Sequence, residues 1–144
     1  MTATKFEGVY DLFLSQIDDY GLAQSEESVV EDVLQKYLLN GYLHIYSVLG
    51  DVNLSTESKA FSRELTMIEK LLFAKAMKLE WVGEKLNSEE LMRKEIGDRD
   101  YHAVQGVAYI KELRGLYAAH SEELSRSKID YTYNNEDMFK ELLN

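Results

Sequence analysis

The chain has no cysteine and no proline among its 144 residues. Without cysteine it cannot build a disulfide scaffold, an iron–sulfur cluster, a thiolate zinc site or a thiol nucleophile. Without proline nothing interrupts a helix by ring geometry or by a missing N–H. Turn punctuation is sparse as well, since eight glycines do most of it. No apolar run approaches the roughly 18 residues that a membrane span takes. The opening MTATKFEGVYD carries Glu7 and Asp11 and lacks an apolar h-region, so it does not read as a signal peptide. These absences lead us to expect a soluble, single-domain protein of a reducing compartment. Its length suffices to bury about 70% of the unfolded surface in one core.

Positive charge is scarce too. The chain holds 26 acids against 16 bases, a net charge of −10. Residues 1–64 hold 11 acids and 4 bases (−7), and residues 65–144 hold 15 acids and 12 bases (−3). Such a balance argues against gripping nucleic acid by phosphate neutralisation. It fits simple solubility through self-repulsion, or a surface that faces DNA without adhering to it.

What remains is helical patterning. Thr4-Lys-Phe-Glu7 has the form of a capping box and opens a short amphipathic segment with Phe6, Val9, Tyr10, Phe13, Leu14 and Ile17. Gly21 closes it. Ser25, ahead of Glu26 and Glu27, caps a second helix that runs to about Leu49. Its apolar residues come in adjacent pairs, which widens the buried stripe. Residues 50–64 are polar and aperiodic and read as a surface loop. Thr66-Met-Ile-Glu69 is a second capping box, and behind it Ile68, Leu72, Ala76, Leu79, Val82 and Leu86 mark a central helix ending near Asn87. Ser88 caps a short helix up to the break at Gly97-Asp98. A last long helix, capped by Asp98 or Asp100, spans about 100–127. Then the period changes: Ile129-Asp-Tyr131-Thr-Tyr133 alternates apolar and polar, as a strand does. The expected fold is all-α, a bundle of about four to five helices over residues 1–127 with a short extended C-terminal arm over 128–144.

Chemistry is hard to find in this sequence. Di-iron bundles need Glu-x-x-His, which is absent, and no two glutamates lie three apart as magnesium-dependent helical hydrolases require. Of the three histidines, His120 falls on an apolar face and forms one His-x-x-Glu with Glu123, a pattern more common for a hydrogen-bonded core histidine than for a ligand. No nucleophile elbow, P-loop or dinucleotide fingerprint is present. Neither a catalytic residue nor a metal ligand nor a cofactor is expected, and the chain reads as a non-enzyme. Ten tyrosines are the compositional excess, and tyrosine suits interfaces. Tyr131 and Tyr133 stand out, because an isolated alternating strand wants an edge to pair with.

The segment LEWVGEKLNSEELMRKEIGDRDY, the later KIDYTY and the opening TKFEGVYDLFLSQIDDY resemble the small neck proteins of tailed bacteriophages, the head–tail connector or adaptor class. The resemblance covers nearly the whole chain. It implies a helical bundle assembled with itself into a ring, usually dodecameric, between the portal protein and a stopper or tail-completion protein. It places the protein in the virion neck, and in the host cytoplasm before assembly. DNA would pass through the ring without specific binding, and no membrane is involved. In such adaptors a C-terminal arm docks on the portal, which here implies Ile129, Tyr131, Tyr133, Met138 and Phe139 as anchors. The loop to the next neck protein would use Asn53, Leu54, Ser55, Lys59 and Phe61. A competing reading from charge alone is an acidic cytosolic binding protein, a DNA-mimic type of inhibitor.

Overall fold

A computed structural model describes residues 2–17, 26–96 and 107–143, with side chains described over 2–17, 26–91 and 109–134. Four helices carry the described fold: α1 (Phe6–Ser15), α2 (Glu27–Leu49), α3 (Met67–Ile96) and α4 (Val107–Leu143). Between α2 and α3 lies a two-stranded antiparallel hairpin, β1 (Leu54–Ser55) and β2 (Ala60–Phe61), with Leu54 opposite Phe61. The all-α bundle expected from the sequence is therefore what the chain forms. The N-cap of α2 is Glu26, without a side-chain cap bond, rather than the expected Ser25; Gly21, Ser25, Gly97, Asp98 and Asp100, which the sequence marks as caps or breaks, lie outside the described residues.

Helix α3 is the element on which α1, α2 and α4 all pack. Its start is the capping box read from sequence: Glu69 N–H donates to Thr66 Oγ1 at 3.2 Å, and Thr66 N–H donates to Glu69 Oε1 at 2.9 Å. Leu72, Phe73, Ala74, Ala76, Met77, Leu79 and Val82 are buried along it, whereas Ile68, expected inward, is exposed. Where α2 crosses, a Cβ on Gly41 would sit 3.0 Å from the Ala76 carbonyl carbon. Two small residues thus let the backbones approach closely. The helix does not stop at Asn87 but runs on to Ile96. Asn87 and Ser88 are exposed, and without a proline nothing obliges the ladder to end there.

The first expected capping box does not form. Lys5 is the N-cap of α1 and makes no side-chain cap bond. Thr4 instead turns to the hairpin: its Oγ1 accepts from Leu65 N–H at 2.8 Å and its carbonyl from Phe61 N–H at 2.8 Å, while Phe6 N–H donates to Lys59 O at 2.9 Å. A tertiary ladder has outcompeted the local cap. It also pins the 50–64 segment, which is no loose loop, because Val52 and Phe61, like Leu65 just after it, are buried in the core. From there aromatic rings run through the protein. Phe6 meets Phe61 edge-on at 5.1 Å, Phe61 meets Phe73 at 4.9 Å, Phe73 stacks on Tyr42 at 5.8 Å, and Tyr42 meets Tyr46 at 5.7 Å.

The extended C-terminal arm is corrected by the structure. Helix α4 crosses the 127/128 boundary without a break and continues to Leu143. The five-residue alternation is a helical stripe misread. Leu124 is buried, Ser127 and Tyr131 are half-buried, and these positions are spaced i, i+3, i+7; Ile129 and Tyr133, spaced i, i+4, face out. A lone strand leaves its backbone groups unpaired, whereas a helix satisfies them internally. Helix α4 runs antiparallel to α3, with Arg114 bonded to Glu90, Lys75 to Ser127 and Tyr131 to Glu69. Tyr131 therefore meets the first turn of α3, and the last twelve residues of α4, about 18 Å of helix, run past it.

Candidate interaction surfaces

The most developed polar site joins three elements at Glu69, which is 2% exposed and the one buried charged side chain among the described residues. Helix α3, capped by Thr66, aims it back at the end of the hairpin. There Arg63 grips it with two parallel bonds, Nη1 to Oε1 at 2.9 Å and Nη2 to Oε2 at 2.6 Å. Arg63 also donates from Nε to Asp51 at 3.0 Å, which ties in the end of α2. Tyr131 closes the set, its hydroxyl donating to Glu69 Oε2 at 2.7 Å from α4. Burial pushes the Glu69 carboxyl upward in pKa, but the bonds from Arg63, Thr66 and Tyr131 outweigh it and hold the group down at about 2. The same pair raises Arg63, chiefly through its bonds to Glu69. A fixed, fully bonded ion pair of this kind sets register between elements; it leaves no group free to act as acid or base. The site was not visible as a cluster in the sequence. The capping box supplied Glu69, and only the fold brought Arg63 and Tyr131 to it.

The expected docking residues separate into two kinds. In the hairpin, Phe61 is a core residue and Leu54 is partly buried against the core, whereas Asn53, Ser55 and Lys59 are exposed. Lys59 stands in the left-handed region with φ 53° at the turn, and its Nζ lies 3.1 Å from Glu31 of α2. In α4, Tyr131 is committed to Glu69, while Ile129 and Tyr133 are 67% and 63% exposed. Met138 and Phe139 lie on the described helix, but their side chains are outside the described residues.

Ile129 and Tyr133 form one wall of a groove of about 450 Å³ between α4 and the end of α2, with Ser47, Val48 and Thr132 among the residues lining it. Tyr46 and Leu43, 58% and 73% exposed, lie on the neighbouring outer turns of α2. The sequence reading counts Tyr46 among the paired apolar residues of α2 and does not single out Leu43.

His44 pairs with Glu80 at 2.7 Å, and His120 lies 3.9 Å from Glu123. Burial and the nearby Lys78 push the His120 pKa below its ordinary value, and Glu123 does not offset them. Among the described residues, no three His, Asp or Glu side chains converge to hold a metal ion, and no helix is long and apolar enough to cross a membrane. Comparison with family models, with curated proteins and with solved structures finds no match to this chain.

Proposed function

We propose that this protein is a structural assembly component, a head–tail connector of a tailed bacteriophage. In this reading it forms a homo-oligomeric ring between the portal and a stopper or tail-completion protein. The observation that carries the reading is the apolar strip of Ile129 and Tyr133 on the part of α4 that reaches the edge of the bundle. Large apolar side chains held out on a rigid helix fit a partner's groove better than they fit water. The docking element is thus a helix end rather than an extended arm, and the exposed hairpin residues Asn53, Ser55 and Lys59 are the second contact. A net charge of −10 suits a channel wall that repels the phosphate backbone.

The test is twofold. Electron microscopy of the purified protein should show rings, and the portal protein should capture it. The double variant Ile129→Ser, Tyr133→Ser should keep the fold and lose capture; undiminished capture defeats the assignment of α4. Deletion of residues 128–144 is the wrong variant, since it removes Tyr131 from Glu69 and so disturbs the bundle itself.

A second reading, an acidic binding protein of the DNA-mimic kind, draws support from the carboxylates of Glu7, Asp11, Glu27 and Glu31 around one groove. It predicts a compact monomer or dimer whose affinity for a basic host protein falls steeply with salt.

A further inference from the structure

On the side of the molecule formed by α1, the start of α2 and the hairpin turn, a second groove of about 460 Å³ opens. Its floor is apolar, made by Tyr10 and Leu34 with the half-exposed Leu14 at one side. Its rim is carboxylate: Glu7 and Asp11 from α1, Glu27 and Glu31 from α2. Tyr10 is buried at the base, and burial together with Glu31 pushes its hydroxyl up to about 12, so the floor stays neutral at any physiological pH. The rim belongs to the half of the chain that carries −7 of the −10 net charge. Two lysines line the groove beside these four acids: Lys5, and Lys59, which reaches across from the hairpin turn to Glu31.

We infer that this groove is a docking slot for a basic amphipathic segment of a protein partner, its apolar side chains on the Tyr10–Leu34 floor and its lysines or arginines on the four carboxylates. An apolar floor alone would accept any hydrophobic segment, and acids alone would accept any cation. The two together select a helix or strand that presents both. Nucleic acid and anionic membranes are repelled by the same rim. The Lys59–Glu31 pair is the internal occupant that the partner's cation displaces. Both functional readings above treat the chain as a binding protein, and the slot rests on that much; the acidic-binder reading draws on this same groove, whereas the neck reading rests on α4.

The probe is a synthetic amphipathic peptide with leucines on one helical face and lysines flanking them, titrated into the isotopically labelled full chain and followed by amide shifts. Shifts are expected at residues 6–14, 27–34 and 58–59, with affinity falling about tenfold in Glu27→Gln, Glu31→Gln and falling again as salt is raised. Lys59→Gln frees Glu31 and should tighten binding by a few-fold, a gain that a purely structural ion pair would not give. No shifts, shifts confined to other faces, or equal binding of the same peptide with its leucines replaced by serine would each overturn the slot. So would an affinity that ignores the glutamine substitutions while the fold is intact. Rings scored on the same samples separate the claims: rings without groove shifts reject the slot alone, and groove shifts without rings reject the neck reading alone.

Discussion

The hairpin segment and the end of α4 invert what their compositions suggest. Residues 50–64 are polar and aperiodic, yet Val52 and Phe61 are buried there and Arg63 is fixed by two carboxylates. Residues 128–134 are rich in large side chains, yet Ile129 and Tyr133 face water and Tyr131 alone reaches inward to a defined partner. What a segment buries depends on what lies opposite it. The hairpin faces the N-terminal residues and α3, which close over it. The end of α4 meets the first turn of α3 on one side, leaves an open groove against the end of α2 on another, and then runs on.

Substitutions that break this contrast should be graded accordingly. Phe61→Ala removes a ring packed against Phe6 and Phe73 and should destabilise by about 3–5 kcal/mol in urea unfolding. A cost near zero would mean the hairpin is loose after all. Glu69→Ala leaves Arg63 half-paired beside the core and should cost about 3 kcal/mol. Tyr131→Phe keeps the ring and deletes one bond to a carboxylate, for about 1–2 kcal/mol. Its amide exchange should rise over the end of α4 and stay unchanged near Ile110. At the small end, Ile129→Ser with Tyr133→Ser should change stability by about 0.5 kcal/mol or less, because neither side chain is buried.

Acid sharpens the same comparison. Glu69 titrates at about 2 in the folded chain against 4.5 as its ordinary value. The unfolded chain binds the proton first, so the contribution of Glu69 is complete above pH 4.5 and is lost as pH falls from there through 2. Stability measured across that window should fall in the native chain, and the fall should be shallower in Glu69→Gln. An equal fall in both would remove Glu69 as the acid-sensitive group of the hairpin corner.

Reading from sequence succeeded where a signal was local. The Thr66–Glu69 capping box, the inward faces of α1 and α3 apart from the exposed Leu14 and Ile68, and the end of α2 at Gly50 follow from periodicity and caps that involve neighbours three or four residues apart. It failed where a local option met a distant competitor. Thr4 had a cap available at Glu7, but the hairpin offered its hydroxyl and carbonyl better-placed donors 61 and 57 residues away. The alternation at Ile129–Tyr133 was too short to separate period 2 from a helical stripe. The exposed Tyr46 could not be told from a core residue, since a paired pattern says only that two faces are apolar.

By itself, then, the sequence determined the material of this protein: an acidic, proline-free, cysteine-free chain whose apolar spacing makes helices and a single core. Only the tertiary structure decided which faces stay open. Burial is a property of pairs of elements, and the bond from Tyr131 to Glu69, like the grooves beside α1 and α4, exists only once segments distant in the chain have been packed together.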